Sequence, residues 1–286
     1  MSNNTDRKIN RKPSWMKVEF PKGKEYIKLK KLVEKNQLAT ICQSGNCPNM
    51  GECWNAGTAT FLILGINCSR NCTFCDVMPG NLLPPDLLEP VKVAETIKQM
   101  NLKHCVITSV TRDDLEDKGA AFWAETIKTI KKKNPEITME VLIPDMRDDL
   151  QALLKIANEK PEIISHNVET VKRLYGDVRP QANYDRSLRQ IKATKNLGIR
   201  SKSGFMLGLG ENENEVIELL HHLHDHECDV VTIGQYLPPS AEHYPLVEYV
   251  HPDKFSFFKE YGLKIGIEQI ESSPLVRSSY HSEQQL

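Results

Sequence analysis

Short runs rich in β-branched and apolar residues alternate with amphipathic stretches of helical spacing, and this alternation restricts the chain more than any single motif. The runs are TATFLILG (58–65), HCVITSV (104–110), ITMEVLI (137–143), EIISHN (162–167), SKSGFMLG (201–208) and DVVTIGQ (229–235), with LKIGIEQI (263–270) as a seventh candidate. Helical patterns fill the gaps at 90–100, 120–133, 147–159, 184–198 and 213–226. Strands separated by helices are joined in parallel through right-handed crossovers. A closed barrel of this kind needs about eight such units. Six predict an α/β fold of the incomplete (β/α)6 TIM-type barrel, with working residues at the C-terminal ends of the strands; an open doubly wound sheet is the other arrangement allowed. At 286 residues and 40% hydrophobic, the chain can fill one such core.

Six of the eight cysteines fall between Cys42 and Cys75. CSRNCTFC (68–75) follows directly on the first strand, which puts Cys68, Cys72 and Cys75 in the first βα loop, at the functional rim. Three thiolates are one short of the number that closes a structural zinc site or saturates a cubane iron–sulfur cluster. They suit a metal centre with one position left for a substrate or cofactor. A zinc knuckle completed by a remote ligand is the other chemistry compatible with the spacing. A second triplet, Cys42, Cys47 and Cys53 in CQSGNCPNMGEC, precedes the first strand. Core cysteines scatter as small hydrophobes, so two triplets within 34 residues point to a second metal centre.

CxxxCxxC with Phe74 before its last cysteine resembles the radical S-adenosylmethionine enzymes. That resemblance implies a 4Fe-4S cluster on Cys68, Cys72 and Cys75 whose remaining iron is chelated by S-adenosylmethionine, with Phe74 against the adenine. An electron delivered there would cleave the sulfonium to a 5'-deoxyadenosyl radical able to attack unactivated C–H bonds. The second triplet, continued as CPNMGECW, resembles the auxiliary-cluster motif of the lipoyl synthase family. The tail RSSY (277–280) matches that family's C-terminal motif, which implies a second 4Fe-4S cluster held by Cys42, Cys47, Cys53 and a serine. Ser279 is the preferred ligand, although spacing alone does not separate it from Ser278. A hard alkoxide would make its iron labile, as suits a cluster consumed as a sulfur source.

The same resemblance implies further contacts to S-adenosylmethionine. TSVTRDDLEDKGA (108–120) offers Thr108 and Ser109 to the methionine amino group, with Arg112 and Asp113 as a loop-shaping ion pair. SHNVETV (165–171) offers Asn167 and Glu169 to the ribose, as acidic side chains do in dinucleotide folds. KSGFMLGLGE (202–211) offers Gly208 and Gly210 for close backbone approach. Arg179 and Arg186 are candidates for carboxylate contacts. The activity implied is insertion of two sulfur atoms, at C6 and C8, into an octanoyl chain carried on a lysine. Implied partners are an octanoylated lipoyl carrier domain or glycine cleavage H protein, a reduced ferredoxin- or flavodoxin-type electron donor, and an iron–sulfur cluster carrier. Two rivals are a methylthiotransferase and a non-catalytic metal- or redox-sensing protein.

The remaining features are blander. HHLHDH (221–226) lacks an HExxH arrangement and reads as a solvated helix face; Cys105 and Cys228 read as core residues. Thirty-seven basic against thirty-eight acidic residues argue against a nucleic-acid or membrane-surface partner. Residues 1–35 are locally basic, a solubilising arm or a dock for an acidic partner. No apolar run of secretory or membrane-spanning length occurs, and a cytoplasmic protein is expected. Three regions follow: residues 1–57 with the arm and auxiliary centre, 58–270 the partial barrel, and 271–286 a tail supplying the serine.

Overall fold

The computed structural model describes residues 11–17, 23–45, 47–55 and 58–286. Residues 1–10 and 18–22 of the basic arm lie outside these. In chain order the elements are α1 (Lys24–Lys35), β1 (Ala39–Thr40), α2 (Ile41–Ser44), α3 (Met50–Asn55), β2 (Thr60–Ile63), α4 (Glu89–Met100), β3 (His104–Ser109), α5 (Ala120–Lys133), β4 (Thr138–Leu142) and α6 (Leu150–Ala157). They continue as β5 (Ile163–Ser165), α7 (Tyr175–Val178), α8 (Tyr184–Asn196), β6 (Arg200–Leu207), α9 (Glu213–Asp225), β7 (Val230–Gln235), α10 (Pro252–Ile265) and β8 (Gln269–Ser272).

One sheet runs in the order β1 to β8, parallel from β2 onward, with the two-residue β1 antiparallel to β2. No ladder among the described residues joins β8 back to the first strands, so the barrel is open. Its core has two halves. Phe61, Trp123, Met139 and Trp54 belong to the half under β2–β5, and Phe205, Leu219, Phe255 and Ile270 to the other. No helix among the described residues is long and apolar enough to cross a membrane.

The seventh run was misplaced by its sequence pattern. Phe255 and Phe258 keep helical spacing and bury one face, and α10 starts with His251 capping Asp253 N–H and Pro252 in its first turn. It continues through Leu263 and Ile265 and stops at Gly266, whose φ of 111° is left-handed. The last strand is therefore Gln269–Ser272, and the parallel set has seven members rather than six.

After β8 the tail turns along the inner face of the barrel. Gln235 N–H donates to Pro274 O at 3.3 Å, and a Cβ on Gly234 would lie 2.2 Å from Val276 O, so only glycine lets the tail pass there. Asn49 Nδ2 donates to Leu275 O at 2.6 Å and Thr60 Oγ1 to Ser279 Oγ at 2.8 Å, which ties the tail to the first elements of the chain. Further on, Ser282 Oγ sits 2.8 Å from His104 Nε2 and donates to Glu140. Glu140 pairs with Lys202 at 2.8 Å, both side chains fully buried, and also accepts from Ser165 Oγ.

Removing one member of a buried ion pair strands its partner, at a cost of roughly 3–5 kcal/mol, whereas replacing both by apolar groups is often neutral. Glu140→Leu is accordingly expected to lose stability on that scale in denaturant unfolding, and Glu140→Leu with Lys202→Met to recover most of it. A single-variant loss below about 1 kcal/mol would mean that the pair is hydrated.

Candidate functional site

The first cysteine loop leaves β2 through Leu64 and Gly65, both at positive φ (67° and 98°). Leu64 N–H donates to Glu89 at 2.8 Å, which pins the start of the loop to α4. The Cys68 Sγ accepts from the backbone N–H groups of Arg70 at 3.4 Å and Thr111 at 3.3 Å, which orients it within the loop. Thr73 N–H donates to Val178 O, and Tyr244 N–H to Thr73 O at 2.8 Å. His243 Nε2 lies 3.2 Å from the Cys75 carbonyl. Burial pushes the Cys75 thiol up to about 12 and raises Cys72 as well, against the pull of Arg179 on the latter. A bound cation would reverse that balance.

Arg70 holds the loop to the barrel. Its guanidinium forks onto Asp113 at 2.8 and 3.0 Å and reaches Asp145 at 2.6 Å, and Asp145 also accepts from Arg186 at 2.8 Å. Asp145 is fully buried, yet Arg70 holds its carboxyl far below the usual range despite that burial. Such charge-assisted forks fix both distance and plane. The expected Arg112–Asp113 pair is replaced: Arg112 pairs with Asp114 at 2.8 Å, and Asp113 serves Arg70 and Arg147.

A cavity of about 440 Å³ opens beside the loop, lined by Phe74, Cys75, Asn167, Glu169, Gly204 and Thr232, and by Arg277 and Ser278 from the tail. Asn167 Oδ1 is buried there without a partner. Glu169 stands at φ 69° with its N–H donating to Gly204 O; burial raises its carboxyl, opposed by Arg179 and Asn167. Arg179 itself is spent on Asn167 O at 2.8 Å and the Tyr175 hydroxyl at 2.6 Å, with its Nε buried and unpartnered.

Six residues expected at the cofactor do not line this cavity, Arg179 and Gly210 among them. Thr108 Oγ1 donates to Leu142 O at 3.0 Å, and Arg186 is committed to Asp145. At Gly208 a Cβ would meet Gln235 Nε2 at 2.2 Å and Glu248 O at 2.5 Å, so packing within the protein itself requires glycine there. Ser109 lies outside the lining too, but its Oγ is buried and unpartnered. The histidines of α9 are used internally: His222 faces the Tyr184 hydroxyl at 2.9 Å and His221 the Tyr261 hydroxyl at 3.0 Å. Cys105 and Cys228 are buried.

The second triplet forms a separate pocket. Cys42, Cys47 and Cys53 line it together with Thr60, Ser279, Tyr280 and Arg277, whereas Ser278 turns to the larger cavity. Tyr280 donates to Glu52 at 3.1 Å across the pocket's edge. Burial pushes the Cys53 thiol up to about 12, with Cys47 and Cys42 adding to it, and raises Cys47 in the same way. Among the described residues no three His, Cys, Asp or Glu side chains converge closely enough to hold a single metal ion. Sequence reading missed Arg70, Asp145 and Arg277 as site residues; the arginines sit inside the two motifs, which was their only signal.

Residues 62–223 match the radical SAM superfamily model. The chain is 53% identical over 276 residues to a protein named mitochondrial lipoyl synthase from Nematostella vectensis, covering 96% of this chain and 95% of that one. It is 53% identical over 283 residues to the lipoyl synthase of Christiangramia forsetii, covering 99% and 96%. Solved structures share the fold at low identity. The FeFe-hydrogenase maturase HydG of Carboxydothermus hydrogenoformans superposes with a TM-score of 0.59 at 16% identity over 91% of this chain and 77% of that one. Methylornithine synthase does so with a TM-score of 0.56 at 16% identity, over 74% and 70%.

Burial pushes Glu89 up to about 7, against the Leu64 N–H that it accepts. The folded protein then keeps a proton that the unfolded chain has lost, so stability falls as pH rises from the ordinary carboxylate range through that value. Denaturant unfolding between about pH 5 and pH 8 should show this fall, flattened in Glu89→Gln. Equal slopes in both proteins would contradict it.

Proposed function

The chain belongs to the lipoyl synthase family of the radical SAM superfamily, and from that premise we propose how its residues divide the work. Cys68, Cys72 and Cys75 would hold one 4Fe-4S cluster, and Cys42, Cys47, Cys53 and Ser279 a second. When bound, the first cluster with S-adenosylmethionine supplies a radical that removes hydrogen from unactivated carbon, and the second supplies sulfur.

The donor sets fit these groups. Each offers three thiols, and the second adds the Ser279 hydroxyl in the same pocket. The unpartnered Asn167 Oδ1 and the Glu169 carboxylate offer acceptors to the ribose hydroxyls, and Phe74 a face for the adenine. Ser109 Oγ is a free hydroxyl close to the same strand ends. Thr108, Arg186 and Gly208 support the site from behind: they hold β4, Asp145 and the 246–248 loop in place.

One observation carries the reading: the large cavity and the second thiol pocket adjoin, with the tail between them. An acyl chain entering the cavity would reach both Cys75 and the wall of the sulfur-donor pocket. The cavity wall is apolar at Val77, Phe205, Met206, Leu237 and Val276, as an alkyl chain requires. The substrate is an octanoylated lysine of a protein. Lipoyl carrier domains or the glycine cleavage H protein, a ferredoxin- or flavodoxin-type reductant and an iron–sulfur carrier are the partners this chemistry needs.

The two triplets should separate in function. Cys68→Ala is expected to abolish reductive cleavage of S-adenosylmethionine, measured anaerobically as 5'-deoxyadenosine. Cys47→Ala should retain cleavage within about twofold, as independent sites do, while an octanoyl-lysine peptide gains no sulfur by mass spectrometry. Sulfur transfer by Cys47→Ala would refute the division.

A further inference from the structure

Arg277 alone among the described residues lines both the large cavity and the second thiol pocket. Its backbone is fixed on either side. Leu275 O accepts from Asn49, Val276 O packs against Gly234, and Ser279 Oγ accepts from Thr60. The root of the Arg277 side chain is therefore held at the partition.

Its partners are unusual for this protein. Arg70, Arg112, Arg173, Arg186, Arg189 and Arg200 each pair with a carboxylate. Arg277 pairs with none among the described residues. Its one bonded nitrogen, Nη1, donates to Val276 O at 2.7 Å and Pro274 O at 3.5 Å, both neutral. A guanidinium has five N–H donors, so several remain for the walls of the two pockets. Across the second pocket it faces the wall formed by Cys42, Cys47 and Cys53. Arg277 is half-buried, and a guanidinium without a carboxylate partner is left to attract an anion placed beside it.

Resting on the reading of the second triplet as an iron–sulfur site, we infer that Arg277 is a positioning residue for that centre: it supplies the counter-charge to the anionic thiolate set of Cys42, Cys47 and Cys53 from the side facing the substrate cavity. Thiolates gathered around one pocket repel one another, and the acid Glu52 stands at its edge, bonded to Tyr280. A fixed positive charge at the partition lowers that repulsion and favours the more reduced, more negative state of the centre. Ser279, two residues on in the turn closed by Tyr280 N–H to Arg277 O, lines the same pocket.

The test uses the full chain carrying Cys68→Ala, Cys72→Ala and Cys75→Ala, so that iron reports on the second centre alone. Into this parent go Arg277→Met and Arg277→Lys; iron release to a ferrous chelator and the reduction potential are measured anaerobically. Arg277→Met should release iron about tenfold faster or more, the scale on which outer partners of metal sites act, at a more negative potential. Arg277→Lys should stay near the parent in both. Parent-like behaviour of Arg277→Met overturns the inference. Equal losses in Met and Lys variants also overturn it, by showing that shape and not charge matters. So does iron loss from both centres alike when Arg277→Met is placed in the otherwise unaltered chain. A parent that binds no iron overturns the reading of the second triplet and the inference with it; a parent that binds iron leaves that reading standing whatever Arg277 does.

Discussion

The functional end of this protein depends on a sheet that does not close. Seven parallel strands curl without β8 meeting β2, and the gap is filled by the C-terminal tail instead of by hydrogen bonds between strands. Because the tail follows the inner face, it meets both the strand ends that carry the first cysteine loop and the α2–α3 segment that carries the second triplet. Asn49, Thr60 and Glu140 bind it at successive heights, and Gly234 gives it passage. A closed eight-stranded barrel would fill that space with packed side chains. The open seam is what allows two thiol sets, held by different parts of the chain, to face adjoining pockets on either side of the tail.

Charge does the second part of the work. The loop between β2 and α4 has little regular structure, so its geometry is set by Arg70 forking onto Asp113 and reaching Asp145, with Arg147 and Arg186 completing the set. The Arg70 pairs are shielded from water, where a charge-assisted fork acts more strongly than on the surface. Lys202 and Glu140 play the corresponding part at the other end of the barrel, under the tail. Bonds of this type hold position more than they add stability. Position is what a centre that must present one open coordination site requires.

Much of this was legible in the sequence, for identifiable reasons. The strands announced themselves because parallel strands covered on both faces are continuous apolar runs. The cysteine triplets did so because no core packing explains such spacing. What was not legible depended on distant partners. Arg70 finds its carboxylates 43 and 75 residues away, so Asp113 looked like a partner for its neighbour Arg112. LKIGIEQI looked like one strand because its apolar residues alternate, while the helix ending inside it was fixed by Phe255 and Phe258 further upstream. Gly208 suggested a ligand-binding turn, but what crowds it is Gln235 and the 248 carbonyl. Ser278 and Ser279 differ only in the direction that the threaded tail gives them.

The central claim is that the sulfur inserted into the acyl chain is carried by the second thiol pocket of this same chain. It is tested most directly by reconstituting the protein with isotopically heavy sulfide, removing free sulfide, and following a single turnover of an octanoyl-lysine peptide by mass spectrometry. The account predicts heavy sulfur in the product, at no more than one dithiolated peptide per chain, with a matching loss of labelled sulfide from the protein. Product carrying only light sulfur, or product formed in undiminished amount by chains lacking the second triplet, would contradict it.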